Sequence, residues 1–473
     1  MEVSKFLVNG EWRGSDRVRP VVNPYSNRTV GEVYQAGPGD IESAIRGAAG
    51  AFRLTRTLQS YQRAEILSQV AHEVERMRED FARLITAETG KPISFARSEV
   101  DRSIFTFALA AEEARRIEGS VLPLDLAPHS ERRFAILRRF PLGPVGAITP
   151  FNFPLNLVVH KVAPAIASGN PVVLKPSSNA PMTALLLARI IHETGLPTGA
   201  FNVVPCHSSE ADQLVTDERI KLVSFTGSPD IGWGIKTRAG KKKVMLELGG
   251  NAGVIVDKGT DLGSVVKRIA LGSYGNAGQS CIAVQRIYVH TDIYDAFAEQ
   301  FANESKCMVG GDPMDEKTVV GPMIEEGAAR KVEEWIEEAV RGGAHVLCGG
   351  KRSGAVMEPT VLTNVKPQMR VSCREVFAPV VTLDRFSDFS EAVRQVNNSA
   401  FGLQAGVFTN NLNNVFQAYN ELEVGGVIVN DYPTFRIDHM PYGGVKDSGF
   451  GREGIKFAIE EMTEMKLLAF NFI

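Results

Sequence analysis

Two side chains suggest covalent chemistry by their type and their sequence neighbours: the thiol of Cys281 and the carboxylate of Glu247. Cys281 ends the segment Gly275-Asn-Ala-Gly-Gln-Ser-Cys281, whose two glycines would leave the sulfur approachable. Glu247 ends an apolar run just before two glycines, and a carboxylate at the end of a buried strand is costly unless it has a function. A thiol can attack a carbonyl carbon, and a carboxylate can activate water against the resulting thiol ester. Taken alone, each also fits an ordinary structural residue.

A third segment suggests phosphate binding. Thr226-Gly-Ser-Pro-Asp-Ile-Gly232 follows the apolar run at 222–225 and looks like the start of a helix. The free N–H groups of a helix N-terminus can bind phosphate. The segment is not a G-x-G-x-x-G motif, so a plain strand-to-helix turn stays open.

The elements that must position these residues indicate an α/β protein. Apolar spacings of three and four predict a long helix over 62–90 and a second over 94–116. Short apolar runs then alternate with helical segments, which predicts an open, doubly wound parallel sheet. Its strands are predicted at 145–149, 172–174, 201–204, 222–225, 244–248 and 253–256. A second α/β region follows, with a strand at 284–289, helices at 294–307 and 331–341, and a last strand at 463–473.

Composition narrows the class of protein. A chain of 473 residues predicts two or three domains, and 52 basic against 55 acidic residues favours neither nucleic acid nor an anionic membrane as partner. No apolar run resembles a signal peptide or a membrane span. Five scattered cysteines without C-x-x-C argue against zinc or a disulfide framework, so we expect no metal and a cytoplasmic location.

Eight ordered motifs together resemble the aldehyde dehydrogenase superfamily over nearly the whole chain. The first five are Pro150-Phe-Asn-Phe-Pro154, Val173-Leu-Lys-Pro176, Gly195-Leu-Pro197, Phe225-Thr-Gly-Ser228 and Leu246-Glu-Leu-Gly-Gly-Asn251. The last three are Gly278-Gln-Ser-Cys281, Glu375-Val-Phe-Ala-Pro379 and Pro441-Tyr-Gly-Gly-Val-Lys-Asp-Ser-Gly449. The resemblance implies an enzyme that oxidises an aldehyde to a carboxylic acid.

The resemblance also implies catalytic roles. Cys281 would attack the aldehyde, while the side-chain amide of Asn152 and the backbone N–H of Cys281 would stabilise the alkoxide. Glu247 would activate the water that hydrolyses the thiol ester, which argues against acyl transfer to coenzyme A. A cofactor-free thiol esterase and a non-enzymatic structural protein are the remote alternatives.

NAD or NADP is the cofactor that the resemblance implies. Its contacts would be Thr149, Pro150, Lys175, Ser178, Gly227, Ser228, Leu248, Glu375 and Phe377. Ser178 stands where NAD-preferring relatives often have a glutamate that repels a 2′-phosphate, so we expect dual use or NADP preference. Cys206 and Ala378 replace glycines that are usual in the family. Cys206 would alter how the protein covers the adenine ring, and Ala378 would make the loop that holds Glu375 less flexible.

The aldehyde is less well defined by the sequence. Phe151 would form an apolar wall, and Ser280 stands where some relatives carry an arginine. Arg436 could hold an anionic group on the far end of the substrate, or it could form an ion pair with Asp438. The first expectation is lactaldehyde or a similar hydroxyaldehyde, and the alternative is glyceraldehyde 3-phosphate or succinate semialdehyde.

The resemblance implies three structural units. The cofactor-binding domain would comprise residues 1–120 and 143–249, and the catalytic domain residues 250–458. Segments 121–142 and 459–473 would form a small β extension that joins subunits, since its strand edges need covering. A homodimer or homotetramer is therefore expected.

Overall fold

The computed structural model describes residues 2–472. Met1, the first residue of the predicted segment 1–120, and Ile473, the last residue of the predicted segment 459–473, lie outside the described residues. Its first sheet has eight strands, in the spatial order Glu11–Arg13, Phe6–Val8, Phe201–Val203, Val172–Lys175, Val145–Ile148, Leu222–Thr226, Lys243–Glu247 and Gly449–Phe450. The five central strands are parallel. The chain order reverses between Val145–Ile148 and Leu222–Thr226, which creates a crevice at their carboxyl ends.

Helices cover this sheet through a shared apolar core. They are Pro38–Thr55, Ser60–Arg76, Arg78–Thr89, Ile93–Ala114, Asn156–Ser168, Pro181–His192, Asp212–Thr216, Pro229–Arg238 and Ile455–Glu461. The single helix predicted over 62–90 is wrong, because the chain leaves helical geometry at Met77, with φ −100° and ψ 22°. The predicted stop at Gly90 is present, and this glycine has a left-handed φ of 70°.

A second sheet has seven strands, all parallel except the first edge strand. Their spatial order is His345–Cys348, Thr360–Thr363, Val380–Phe386, Val284–His290, Ala252–Val256, Gln404–Phe408 and Gly426–Val429. The helices of this region are Leu262–Tyr274, Tyr294–Cys307, Glu326–Arg341, Arg370–Cys373, Phe389–Asn397 and Leu412–Glu421. The strand Ala252–Val256, predicted alongside the first five, therefore belongs to this second sheet.

A three-stranded antiparallel sheet joins Ser120–Pro123, Arg133–Pro141 and Thr463–Asn471. Two-stranded ribbons pair Val18–Val22 with Thr29–Tyr34, Arg352–Ser353 with Val356–Met357, and Phe401–Gly402 with Val445–Lys446. Short 3₁₀ turns occur at Pro128–Ser130, Gly275–Gly278 and Thr291–Ile293. Across residues 2–472, no helix combines the length and apolar character needed to cross a bilayer. The domain bounds stay a prediction.

Candidate active site

A cavity of about 990 Å³ brings most of the sequence-predicted residues together. Those on its wall are Pro150, Phe151, Asn152, Gly227, Ser228, Glu247, Leu248, Ser280, Cys281, Glu375, Phe377 and Arg436. Thr149, Lys175 and Ser178 lie outside the wall. The cavity thus connects the crevice of the first sheet with the loop that carries Cys281.

The loop before Cys281 has an unusual backbone. Asn276, Ala277 and Gly278 adopt left-handed φ values of 54°, 55° and 67° in succession. A Cβ at Gly278 would collide with the backbone carbonyl of Ala378, so glycine is required by space as well as by conformation. Non-glycine residues in this conformation store strain, which is common at functional sites. The tight turn presents the next side chains to the cavity.

Asn152 lies against this loop from the first sheet's side. Its Nδ2 donates a hydrogen bond to the backbone oxygen of Gln279, at 3.1 Å. The Gln279 side chain in turn accepts a hydrogen bond from the backbone of Ile324 at 2.9 Å, which fixes the loop from the other side. Within the described residues this is the only hydrogen bond of the Asn152 amide, so its second N–H is free to meet an oxygen formed beside Cys281.

The Cys281 sulfur lies 3.0 Å from the hydroxyl oxygen of Tyr442. Burial raises the pKa of the thiol to about 12, and the hydrogen bond with Tyr442 acts in the opposite direction. A buried thiol with so high a pKa carries little thiolate at neutral pH. Reaction therefore needs groups that stabilise the negative sulfur.

Glu247 ends the strand Lys243–Glu247 and is only 4% exposed. Burial raises its pKa well above the ordinary value, and the negative charge of Glu453 adds to this, while Arg436 opposes it. Its Oε2 has no hydrogen-bond partner among residues 2–472. A carboxyl group with a raised pKa and a free oxygen facing a cavity is suited to accept a proton from water.

Arg436 also faces the cavity, with its side chain 6% exposed. Its Nη2 donates to Glu453 at 3.2 Å, and its Nε lies 3.8 Å from Asp438. The guanidinium carbon stands 3.6 Å from the centre of the Tyr442 ring. Arg436 is therefore ion-paired and also lines the cavity, while its contact with an anionic substrate stays a prediction.

Arg102 is a cavity residue that sequence reasoning missed. It lies on the helix Ile93–Ala114 and donates two hydrogen bonds to Asp438, at 3.2 and 2.6 Å. Its side chain is 32% exposed, so it keeps surface towards the cavity. A separation of 336 residues from Asp438 left no local sequence signal.

Arg102 and Arg436 belong to a connected set that we call the arginine cluster: Arg102, His160, Lys161, Arg436, Asp438 and Glu453. Burial and the charge of Arg436 lower the pKa of His160, which favours the neutral ring. Burial would raise the pKa of Asp438, but His160 and Arg102 hold it well below its usual range. Lys161 and other cations likewise lower the pKa of Glu453 to about 2. Three cations therefore face two ionised carboxylates.

The crevice of the first sheet contains unsatisfied polar groups. Thr149 follows the strand Val145–Ile148, and Thr226 ends the strand Leu222–Thr226. Their hydroxyl oxygens are buried and have no hydrogen-bond partner among the described residues. Buried polar groups normally have partners, so these two suit a polar ligand. Ser228 precedes the helix Pro229–Arg238 directly, which gives the crevice a helix N-terminus.

Glu375 and Phe377 approach the crevice from the second region. A Glu375 oxygen accepts a hydrogen bond from the backbone of Gly250 at 3.0 Å, and burial raises its pKa to about 7. Phe377 has a left-handed φ of 54°, and its ring meets Phe151 edge to face at 6.1 Å. Lys175 is largely buried, which lowers its pKa, and Ser178 is half-buried beyond it.

Comparison with known proteins decides the family. The profile of the aldehyde dehydrogenase family matches residues 12–468. The chain belongs to this family. It is therefore an oxidoreductase that acts on aldehydes.

Three relatives bear on its chemistry. The 3-sulfolactaldehyde dehydrogenase of Priestia aryabhattai is 46% identical, with 98% of each chain covered. The lactaldehyde dehydrogenase of Methanococcus aeolicus is 39% identical, covering 98% of this chain and 100% of the relative. The crystal structure of aldehyde dehydrogenase 21 from Physcomitrella patens, in complex with succinate, has a TM-score of 0.98 and 45% identity, covering 99% and 98% of the chains. Other solved structures with this fold are complexes with NADP or with NAD⁺.

Proposed function

We propose that this enzyme oxidises a short aldehyde with an anionic far end, such as a carboxylate or sulfonate, to the carboxylic acid. The observation that carries the proposal is that Arg102 and Arg436 line the same cavity as Cys281. Guanidinium groups bind carboxylate and sulfonate oxygens through paired N–H donors. The Nε of Arg436 is buried and has no hydrogen-bond partner among residues 2–472, with Asp438 3.8 Å away.

The charge of the arginine cluster supports an anionic substrate. Arg102, Lys161 and Arg436 exceed the two ionised carboxylates by one positive charge. A substrate anion would neutralise that excess in a partly buried site, where charge pairs are weakly screened. Relatives named for 3-sulfolactaldehyde and bound to succinate fit the same chemistry.

The reaction would proceed on Cys281. The thiol releases its proton to water, the sulfur attacks the carbonyl carbon, and the resulting alkoxide is stabilised by Asn152 and the backbone N–H of Cys281. A nicotinamide cofactor held in the crevice would supply the hydride acceptor that oxidation of this adduct to a thiol ester requires. Glu247 then takes a proton from water, hydroxide attacks the acyl carbon, and the carbon–sulfur bond breaks to release the acid.

The residues of the crevice fit NAD or NADP. Thr149 and Thr226 offer unpaired hydroxyls, and Ser228 directly precedes a helix whose N-terminus is suited to pyrophosphate. Glu375 can accept hydrogen bonds from ribose hydroxyls. Ser178 carries no charge that would repel a 2′-phosphate, and Arg19 reaches its neighbour Asn179 at 3.2 Å. We therefore propose that NADP is accepted at least as well as NAD.

A neutral hydroxyaldehyde is the second candidate substrate. Lactaldehyde is the first expectation from the sequence, and the Methanococcus relative named for it matches over the whole length. In that case Arg102 and Arg436 would serve the structure through Asp438 and Glu453 alone. 3-Sulfolactaldehyde combines the hydroxyl of lactaldehyde with an anionic end.

Initial rates with a panel of aldehydes test the proposal. Succinate semialdehyde, 3-sulfolactaldehyde, glyceraldehyde 3-phosphate, lactaldehyde and butanal are each compared with NAD and with NADP. We expect the highest kcat/KM with a carboxylate or sulfonate. Arg102→Gln should lower that kcat/KM by roughly 10- to 100-fold and leave butanal little changed, and Arg436→Gln should reduce the preference for the anionic aldehyde over butanal by a similar factor.

The matched control is Arg385→Gln, which removes an exposed arginine paired with Asp295 on the surface. It should leave every rate in the panel unchanged. If lactaldehyde is preferred and neither cavity variant alters the ranking of substrates, the arginines are structural and the anionic proposal is wrong.

We also propose that the three-stranded sheet joins subunits into a homodimer or homotetramer. Its strands carry exposed apolar side chains, among them Leu467 and Leu468, at 51% and 57%. A cytoplasmic location is the remaining proposal, and the five unpaired cysteines support a reducing compartment.

A further inference from the structure

Tyr442 stands beside the reacting sulfur of Cys281 and has no part in the mechanism proposed for this site. Its hydroxyl oxygen lies 3.0 Å from the sulfur of Cys281 and has no other hydrogen-bond partner among residues 2–472. The side chain is only 4% exposed, and the guanidinium of Arg436 covers the ring at 3.6 Å. The hydroxyl is therefore held at one place, against the sulfur.

The direction of this hydrogen bond follows from the pKa values of the Tyr442 phenol and the Cys281 thiol. Burial, together with the nearby thiol charge, raises the pKa of Tyr442 well above its usual range, so the phenol keeps its proton. Burial raises the pKa of Cys281 to about 12, and the bond with Tyr442 opposes that rise. Once the sulfur is negative, it can only accept, and the phenol donates.

We propose that Tyr442 is a positioning residue that donates a hydrogen bond to the Cys281 thiolate and holds the sulfur towards the substrate carbonyl. The inference rests on the proposed role of Cys281 as the nucleophile. Arg436 supports this role of Tyr442 by stacking on the tyrosine ring, since a cation over an aromatic face fixes the orientation of the ring.

The hydrogen bond has a defined course through the reaction. When the thiol releases its proton to water, the phenol O–H stabilises the negative sulfur. As the sulfur–carbon bond forms, the negative charge moves to the carbonyl oxygen, so the bond from Tyr442 weakens and Asn152 takes over. When the thiol ester is hydrolysed, the departing sulfur regains the same donor.

The test measures the thiol directly and needs no turnover. Tyr442→Phe keeps the ring and its stacking on Arg436 but removes the hydroxyl. Alkylation of Cys281 by iodoacetamide, located by peptide mass, is followed from pH 6 to pH 10.5. We expect the alkylation rate constant to be about tenfold lower at each pH in this range, as a rise of about one unit in the thiol pKa would produce. The kcat should fall, while the dissociation constant for NADPH stays unchanged.

Tyr274→Phe is the matched control. It also removes a buried phenol hydroxyl, one that bonds Ser305 at 3.0 Å and does not contact the thiol. Its alkylation profile should overlay that of the unchanged enzyme. If the Tyr442→Phe profile does the same, the inference is wrong, although Cys281 can still be the nucleophile.

Two further experiments distinguish failure of the proposed function from failure of the inference about Tyr442. Turnover that survives Cys281→Ala overturns the proposed function itself. Should Tyr442→Phe fail to fold, 3-fluorotyrosine placed at position 442 gives a more acidic phenol and a stronger donor. The alkylation rate constant is then expected to rise at each pH, and an unchanged value overturns the inference.

Discussion

Burial determines the acidity of the ionisable side chains around the cavity. It raises the pKa of Cys281 to about 12 and that of Glu375 to about 7, and it raises the pKa of Glu247 as well. None of these three side chains has its ordinary pKa in the folded protein. Each depends on one or two neighbours, such as Tyr442 for the thiol and the backbone of Gly250 for Glu375.

Glu375 should make cofactor binding depend on pH. Its carboxyl group is neutral below about pH 7 and ionised above it, because the raised pKa is about 7. An ionised carboxylate accepts stronger hydrogen bonds from ribose hydroxyls. The dissociation constant for NADPH, measured by fluorescence, should therefore decrease as pH rises from 6 to 8.5. Glu375→Gln should bind more weakly at pH 8.5 and show no such trend, whereas an unaltered trend would exclude this role.

Sequence reasoning reached the residues that belong to recognisable motifs. Cys281, Glu247 and Asn152 line one cavity, and their catalytic roles stay a prediction. Arg102 could not be found, because its contact with Asp438 depends on the packing of distant segments. Tyr442 lies within the motif Pro441–Gly449, yet only the folded structure shows its hydroxyl beside the Cys281 sulfur.

At the level of elements, Glu88 joins two helices. It lies in the last turn of Arg78–Thr89, is 0% exposed, and accepts hydrogen bonds from the backbone N–H groups of Met182 and Thr183 at 2.6 and 2.9 Å. These N–H groups start the helix Pro181–His192 and have no partner within it. The carboxylate thus caps a helix that packs against the first sheet.

Glu88→Gln should lower the free energy of unfolding by roughly 1–3 kcal/mol, because an amide N–H would then face a backbone N–H donor. Urea unfolding at pH 8 measures the difference. Glu73→Gln, which alters only an exposed pair with Arg76, should change the value by less than about 0.5 kcal/mol. Equal effects of the two variants would show that the cap contributes nothing.

Apolar runs and periodic patterns predicted many of the strands and helices, but they missed a break inside one periodic segment and a strand of two residues. The helix Tyr294–Cys307 has the predicted bounds, and the terminal strand ends at Asn471, close to its predicted end. The break at Met77 was missed because the apolar spacing continues through it. The two-residue strand Gly449–Phe450 is too short to show a period, and it pairs with the strand of Glu247 only in the folded chain.

For the whole molecule, the three-stranded sheet is an uncovered apolar surface. Its exposed apolar residues are Val121, Leu122, Met465, Leu467, Leu468 and Phe470. Exposed apolar side chains grouped on one small sheet often mark a protein–protein interface, and open strand edges invite pairing. A second copy of the chain would cover both.

Light scattering after gel filtration should give a mass two or four times that of one chain. Leu468→Glu should shift the protein towards the monomer, since a buried unpaired carboxylate would oppose association. Leu412→Glu places the same charge on an exposed leucine outside this sheet and should leave the mass unchanged. A wild-type monomer at micromolar concentration would refute the predicted assembly.

The central claim is that the acyl group passes through Cys281 and is released by Glu247. Its most direct measurement is peptide mass analysis of Glu247→Gln after mixing with NADP and the best aldehyde of the panel. The account predicts one equivalent of reduced cofactor per site and an acyl thiol ester on the Cys281 peptide, absent from Cys281→Ala. Full turnover by Glu247→Gln without an adduct, or an acyl group on another cysteine, would contradict it.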